Sequence, residues 1–353
     1  MTTAHQLFEV FSSESVASGV AHKNKALKKA IINQIDNSGD MTIADLAKEL
    51  AISTPKITSL VNELIEDGLI QDEGKLDSTG GRRANVYGLV SDACYFIGVD
   101  VKRFGINIGL LDFKKHLVSI NENIPYTMEN TQESLNDLIN CIKSFIKEQK
   151  LGSHKILGIG INLSGRINNN TGYSYSFFHF NEEPLSQTLE KALGIRTFLE
   201  NDSRAMAYGE FCSGVVSNEK NVLFVNLDYG TGLGILVDGK LYYGKSGFSG
   251  EFGHMPFFNN EIICQCGKKG CLETEVSGLA LLRLLKDKLN EGSSSILYKK
   301  GKKIDDIKLN DLVEAALKED MLVIELLAEF SEKLGRALAV LINLLNPELV
   351  ILG

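Results

Sequence analysis

One histidine and three cysteines are the residues whose types and spacing best suit chemistry. They follow the pattern His254, nine residues, Cys264-x-Cys266, four residues, Cys271. One imidazole and three thiolates complete the tetrahedral shell of a structural zinc ion and leave no position for a reactive water. Three buried thiols without a metal are the alternative, which the short Cys-x-Cys spacing disfavours. The pattern therefore predicts one structural Zn²⁺ per chain.

Carboxylate and amide groups near this pattern could bind a polyol. Glu251 precedes His254 by three residues, and Asn201-Asp202 stand where a strand should meet the start of a helix. A carboxylate at such a position can accept a proton from a sugar hydroxyl, and the amide can hold the neighbouring hydroxyl. The alternatives are structural: Asp202 as a helix cap, and Glu251 with His254 as a packing pair.

A glycine-rich turn lies between two predicted strands. Gly230, Thr231 and Gly232 form the centre of the string DYGTGLG. Backbone N–H groups without neighbouring side chains could cradle a phosphate. A tight hairpin uses such glycines for purely conformational reasons as well, so both interpretations stay open.

The elements that position these residues begin at Cys94. Short apolar strands alternate with helices. The pattern of the strand that ends in Asp100 is repeated in the strand that ends in Asp228. An internal duplication of this kind predicts two related α/β lobes around a cleft.

The front of the chain has a different pattern, with three short helices in succession. Thr42, with Asp45 three residues later, predicts a helix cap, and we expect Thr54 to cap the third helix ahead of Pro55. The tight link between the second and third helices is typical of a helix-turn-helix.

Two predicted strands joined by a Gly-Arg loop follow the third helix and complete a winged helix-turn-helix. Short polar groups on the third helix could reach base edges, and two arginines of the wing could reach phosphates or a minor groove. A small helical packing or dimerisation module is the alternative. The candidate DNA contacts are Thr54, Lys56, Thr58, Ser59, Asn62, Arg82 and Arg83.

Length and composition limit the remaining possibilities. The chain has 353 residues, 44% of them hydrophobic, and a net charge of −8. This describes a well-packed protein of more than one domain, and we expect no membrane span and a cytoplasmic location. The overall negative charge does not exclude DNA binding, which needs only a local basic patch. The patterns predict a tail over residues 1–22, a DNA-binding domain over 23–90 and the duplicated domain over 91–353.

Several strings together resemble the ROK family of bacterial sugar repressors and sugar kinases. They are ENDSRAMA, LDYGTGLG, GFSGEFGH, GHMPFFNNEIICQCGKKGCLE and LNPELVILG, and the preceding STGGRR wing resembles the repressor branch with its N-acetylglucosamine and xylose repressors. The resemblance implies an actin-like, hexokinase-like (ribonuclease H-like) two-lobed fold, a zinc ion that shapes the sugar site, and homodimers or tetramers.

The resemblance also implies which residues bind the sugar. Matched by motif, they are Gly165, Asn201, Asp202, Glu251, His254 and Glu273. We expect Gly165 to come from the first lobe and the others from the later half of the chain. Asp202 matches the general base of the kinases and would be vestigial here.

The chain departs from the family's kinases at the nucleotide side. The loop after the first strand contains Arg103 and Phe104 where the kinases have small glycines, so a phosphate would meet bulky side chains. We therefore expect a regulator that is not an enzyme: a repressor released from operator DNA by a monosaccharide or sugar derivative. The alternative is an ATP-dependent sugar kinase with an attached DNA-binding domain.

Overall fold

The computed structural model describes residues 19–75, 84–152, 155–298 and 303–353. The chain folds into two compact units. The first unit contains the described residues up to Leu163 together with Thr171–Leu199, and the second contains Ser164–Asn170 together with Glu200–Gly353. None of the described helices combines the length and the apolar character that a membrane crossing requires.

The first unit starts with the predicted winged helix-turn-helix. Its helices are α1 (Val20–Ser38), α2 (Ile43–Glu49) and α3 (Thr54–Glu66), and its strands are β1 (Met41–Thr42), β2 (Ile70–Lys75) and β3 (Asn85–Leu89). The strands pair antiparallel in the order β1-β3-β2. The apolar stripes meet in one core, whose fully buried members include Ile31, Leu46, Ile57, Leu60 and Leu64.

Local capping explains where two of these helices begin. The Thr42 hydroxyl accepts a hydrogen bond from the Asp45 N–H at 3.1 Å, which confirms the predicted cap of α2. At α3 the expectation was wrong, because the cap is Ser53 and Thr54 is already helical. Pro55 is tolerated in this first turn because N–H groups there have no acceptor within the helix.

The remaining elements follow in chain order. The strands are β4 (Tyr95–Lys102), β5 (Gly105–Asp112), β6 (Leu117–Pro125), β7 (Ile156–Leu163), β8 (Ile167–Asn168), β9 (Tyr173–Ser174), β10 (Thr197–Asn201), β11 (Val222–Leu227), β12 (Thr231–Val237), β13 (Lys240–Leu241) and β14 (Leu349–Leu352). The helices are α4 (Gln132–Glu148), α5 (Leu185–Leu193), α6 (Asp202–Ser213), α7 (Gly278–Asn290), α8 (Leu309–Leu317) and α9 (Met321–Leu345).

Each unit is built on one main sheet. In the first unit the strand order is β10-β7-β4-β5-β6, and in the second it is β13-β12-β11-β14. The same pairing recurs in both. Strands β4, β5 and β6 form an antiparallel meander with β7 parallel to β4, and β11, β12 and β13 form one with β14 parallel to β11. The predicted duplicated α/β fold is confirmed.

The winged helix does not have a core of its own. Ala93, Cys94 and Phe113 are buried in the same apolar cluster as Leu69 and Leu89 of the winged helix. Phe113 lies in the turn between β5 and β6, and its N–H donates to the Ser91 carbonyl at 2.9 Å. The DNA-binding elements and the first sheet therefore share one continuous core.

Candidate functional site

The start of α6 gathers three of the predicted sugar-binding residues. Asn201 caps the helix, because its side-chain oxygen accepts from the Arg204 N–H at 3.2 Å. Its amide nitrogen donates to the Gly165 carbonyl at 3.0 Å and to an Asp202 carboxylate oxygen at 2.9 Å. The other Asp202 oxygen accepts from the Ser164 hydroxyl at 2.6 Å. The cap is thus Asn201, and Asp202 is the first helical residue.

Gly165 does not lie where we expected it. It belongs to the second unit, as do the other five predicted sugar-binding residues. The expectation that Gly165 comes from the first lobe is wrong, because the chain enters the second unit at Ser164 and returns to the first only at Thr171.

Glu251 and His254 lie in the loop that follows β13. The Nε2 atom of His254 is 3.9 Å from a carboxylate oxygen of Glu251. Burial raises the pKa of the Glu251 carboxyl, although the charges of His254, Arg166 and Arg204 oppose the shift and that of Asp202 adds slightly to it. Gly250, just before this pair, has φ +88°, and a side chain there would meet the Leu233 carbonyl.

The predicted metal ligands come together in space. The ligand atoms of His254, Cys264, Cys266 and Cys271 all lie within 4.8 Å of one another. The Nδ1 atom of His254 is 3.4 Å from the Cys264 sulfur, and the sulfurs of Cys266 and Cys271 are 3.6 Å apart. The donor set therefore fits a single metal ion. Nδ1 faces the cysteines, whereas Nε2 faces Glu251.

Glu273 connects the metal ligands with the glycine-rich turn. One of its carboxylate oxygens accepts from the Thr231 N–H at 3.1 Å, and the other is 3.9 Å from the Cys264 sulfur. Because Glu273 follows Cys271 by two residues, the same short segment supplies a predicted metal ligand and a carboxylate. The carboxylate already satisfies one backbone N–H of the predicted phosphate loop.

The glycines of this turn also have a packing role. Gly232 and Gly234 lie in β12, where a side chain on Gly232 would meet the Ser203 hydroxyl and one on Gly234 would meet Ala207 of α6. Neither glycine has a positive φ. Their lack of a side chain lets α6 approach β12 closely, a packing role that neither sequence interpretation included.

The candidate DNA contacts of α3 differ in exposure. Thr54, Ser59 and Asn62 are exposed, whereas Lys56 and Thr58 are half-buried. The Thr58 hydroxyl donates to the Thr54 carbonyl at 2.9 Å. Arg82 and Arg83 lie outside the described residues, so their place on the wing stays a prediction.

Sequence reasoning missed two charged residues. Lys28 of α1 forms ion pairs with Glu63 at 3.2 Å and Asp67 at 3.0 Å, and so ties α1 to the C-terminal end of α3. Arg204 is buried beside the predicted sugar groups and pairs with Glu200 four residues earlier. The only signal in the sequence was this i, i+4 spacing, which surface helices use as well.

Comparison with known proteins identifies the family. A sequence model described as "ROK family" matches residues 97–353. The chain belongs to the ROK family. A second model, "Winged helix-turn-helix DNA-binding", matches residues 25–71. The match to the ROK family covers both units beyond the winged helix.

Two of the proteins with similar sequences are transcriptional regulators. The chain is 28% identical to the xylose repressor of Bacillus subtilis, over 93% of this chain and 82% of the repressor. It is 29% identical to the DNA-binding transcriptional dual regulator NagC of Escherichia coli, over 92% of this chain and 79% of the regulator.

The solved structures that are similar to this chain include one regulator and one kinase of the ROK family. A ROK family transcriptional regulator, homologous to the Escherichia coli MLC protein, matches with a TM-score of 0.77 and 26% identity, and the match covers 94% of this chain and 83% of that one. A ROK family glucokinase from Streptomyces griseus, in complex with glucose and AMPPNP, matches with a TM-score of 0.64 and 26% identity, over 73% of this chain and 82% of that one. The regulator is therefore matched over more of this chain than the kinase is.

Proposed function

We propose that this ROK protein is a DNA-binding transcriptional repressor of sugar metabolism, released from its operator by a monosaccharide or sugar derivative bound in the second unit. The observation that carries the proposal is the winged helix-turn-helix joined to a ROK fold, an organisation for which similar repressors match more than nine-tenths of the chain.

The DNA-binding role is supported by the exposed face of α3. Thr54, Ser59 and Asn62 present short polar side chains that could reach base edges in the major groove. Arg82 and Arg83 are the proposed phosphate or minor-groove contacts. We further propose that a homodimer or tetramer presents two winged helices to an imperfect palindrome, because two identical heads read two symmetric half-sites.

The effector role is supported by the chemistry of the six neighbouring groups. A carbonyl, an amide, an imidazole and three carboxylates offer both donors and acceptors, as a polyhydroxylated ligand requires. Gly165, Asn201 and Asp202 are joined by hydrogen bonds, and the charge of Asp202 acts on Glu251. The proposed effector contacts are therefore these four residues with His254 and Glu273.

The proposed metal is Zn²⁺, one per chain, held by His254, Cys264, Cys266 and Cys271. Three thiolates and one imidazole are the donor set of closed structural zinc sites. The metal would therefore cross-link the loop and would have no open position at which to bind the effector or a reactive water. His254 would bind it through Nδ1 and keep Nε2 directed at Glu251.

We propose that the chain is not a kinase. Arg103 and Phe104 form the turn between β4 and β5, the Arg103 guanidinium lies 5.6 Å from the Phe104 ring centre, and Phe104 is 54% exposed. Asp100, two residues before the end of β4, accepts hydrogen bonds from the amides of Asn107 at 3.2 Å and Asn162 at 2.8 Å. The turn supports the proposal because a phosphate that approached it would meet the side chains of Arg103 and Phe104.

The kinase alternative makes a separate prediction. If the chain is a sugar kinase, it will consume ATP steadily in the presence of a hexose, and Asp202→Asn will abolish that turnover. We expect no such turnover above background in a coupled assay.

The first experiment identifies the effector. We expect thermal-shift titrations with monosaccharides, N-acetylhexosamines and their 6-phosphates to give one stabilising class, with xylose and N-acetylglucosamine included because similar repressors carry those names. A ligand at a hundred times its dissociation constant stabilises the fold by about 2.7 kcal/mol. Asp202→Ala should remove this stabilisation and should leave the metal content unchanged.

The second experiment tests the regulation itself. Operator DNA is titrated with and without the stabilising sugar, and we expect the affinity for the operator to fall about 5–150-fold, which corresponds to coupling of about 1–3 kcal/mol. By linkage, saturating operator must lower sugar affinity by the same factor. An unchanged operator affinity despite demonstrated sugar binding would reject the repressor-release mechanism.

A further inference from the structure

The most deeply buried charge near the proposed effector site is the guanidinium of Arg204. The residue is only 2% exposed, in the first turns of α6. A buried guanidinium is stable only if its donors are satisfied, so the groups around it must be held in fixed positions.

Three donors of Arg204 reach three different parts of the second unit. Nε donates to a carboxylate oxygen of Glu200 at 2.7 Å, Nη1 to the Gly247 carbonyl at 2.7 Å, and Nη2 to the Ile167 carbonyl at 2.9 Å. The planar guanidinium fixes the directions of these bonds relative to one another. Lysine could supply the charge but could not supply this fork.

Each of these partners lies close in sequence to a proposed effector contact. Ile167 follows Gly165 by two residues, Glu200 directly precedes Asn201, and Gly247 precedes Glu251 by four. Arg204 therefore connects the three backbone segments that carry those contacts.

Three further observations indicate that this arrangement is specifically built. Gly247 has φ +78°, a backbone conformation that favours glycine, and in this conformation its carbonyl accepts from the guanidinium. Glu200 is itself fixed, because the Tyr243 hydroxyl donates to its second oxygen at 2.9 Å. The Arg204 guanidinium also lies 5.5 Å from the centre of the Tyr243 ring, within cation–π range.

We infer that Arg204 is the positioning residue of the effector site: it holds the segments bearing Gly165, Asn201 and Glu251 in the one arrangement that can bind a sugar. The inference rests on the proposed function of this site and adds a residue that does not itself contact the ligand. Polar groups bind a ligand well only if they are held to well within 1 Å of their correct positions. Loosening one segment is therefore expected to lower the affinity for the sugar without unfolding the chain.

The test compares three variants of the full chain. Arg204→Met removes the guanidinium, and Arg204→Lys keeps the charge but not the fork. Leu285→Ala is the matched control, because Leu285 is fully buried among the helices of the second unit, in a cluster apart from Arg204. The cavity created by this substitution should lower the stability of the fold without changing the three segments.

Two measurements are made on each variant. Hydrogen exchange without ligand reports the protection of the amides in residues 164–170 and 243–254, and calorimetric titration with D-xylose and with N-acetyl-D-glucosamine reports sugar affinity. We expect both Arg204 variants to exchange at least tenfold faster in these segments and to bind the sugar at least tenfold more weakly. Leu285→Ala should change neither quantity by more than about twofold, even at an equal loss of melting temperature.

The outcomes separate this inference from the proposed function. If neither sugar binds the wild-type chain, these sugars are excluded as effectors, and the exchange measurement still decides whether Arg204 holds residues 164–170 and 243–254 in place. If Arg204→Lys behaves as wild type, or if Leu285→Ala matches Arg204→Met in either measurement, the guanidinium has no positioning role and the inference is overturned.

Discussion

Replacing Phe113 with alanine should loosen the winged helix from the first sheet. Phe113 is 6% exposed and belongs to the core that both share. A buried Phe→Ala change costs about 3–5 kcal/mol. Two ion pairs, Lys114 with Glu73 and Lys115 with Asp36, join the same turn to the winged helix. Exposed pairs contribute only about 0.2–1 kcal/mol, so the apolar core should dominate.

Hydrogen exchange of the α2 and α3 amides measures this effect directly. Because about 1.4 kcal/mol corresponds to tenfold in an equilibrium constant, Phe113→Ala should raise the opening constant of these helices at least a hundredfold. Lys115→Ala, at a side chain that is 60% exposed, should raise it less than tenfold.

A matched control separates local loosening from general loss of stability. Phe145 is 1% exposed in α4 and lies outside the shared core. Phe145→Ala removes a side chain of the same type from the same unit. It should lower global stability, while the amides of α2 and α3 keep their protection from exchange relative to the rest of the chain. Equal loss of winged-helix protection in both variants, or a loss in Lys115→Ala as large as that in Phe113→Ala, would refute the shared-core argument.

Three further predictions concern the metal, the recognition helix and its support. Protein prepared without chelator should contain one zinc per chain and Cys271→Ser should contain none; a metal-free wild-type preparation would contradict the assignment. Changing Ser59 or Asn62 should alter the preference among operator sequences by about 1–3 kcal/mol per position, whereas equal losses on specific and random DNA would argue against base contacts. Burial alone would lower the pKa of Lys28, but its hydrogen bonds and ion pairs with Asp67 and Glu63 raise it above 10.5. Its pairs therefore stabilise the fold below that pH and are lost as the pH rises through the raised pKa, so the melting temperatures of wild type and Lys28→Met should differ at neutral pH and converge in strong alkali.

The sequence predicted those parts of the site whose members are neighbours along the chain. The four predicted metal ligands fall between His254 and Cys271, in a short loop that has glycines at Gly267 and Gly270, and the structure brings them together. The helices of the winged helix were predicted for the same reason, since each apolar stripe is set by the helical repeat over a few residues.

The phosphate loop illustrates where a local pattern leaves two interpretations open. A glycine-rich turn between strands is compatible with anion binding and with the conformational needs of a tight hairpin, because glycine serves both. Only the position of α6 against Gly232 and Gly234 reveals the packing role, and only the fold brings the Glu273 carboxylate to the Thr231 N–H.

By itself the sequence predicted the class of fold, the winged helix, the cluster of His and Cys residues that could bind a metal, and the polar residues proposed to recognise a sugar. The tertiary structure alone decided that Gly165 joins the second unit, that Arg204 connects three segments of the site, and that Phe113 gives the winged helix and the first sheet one core. The physical reason is the range of the interactions. Periodicity and ligand spacing act over a few residues, whereas the bond from Arg204 to Gly247 joins groups 43 positions apart. Such contacts are selected by packing of the whole chain, which no local pattern records.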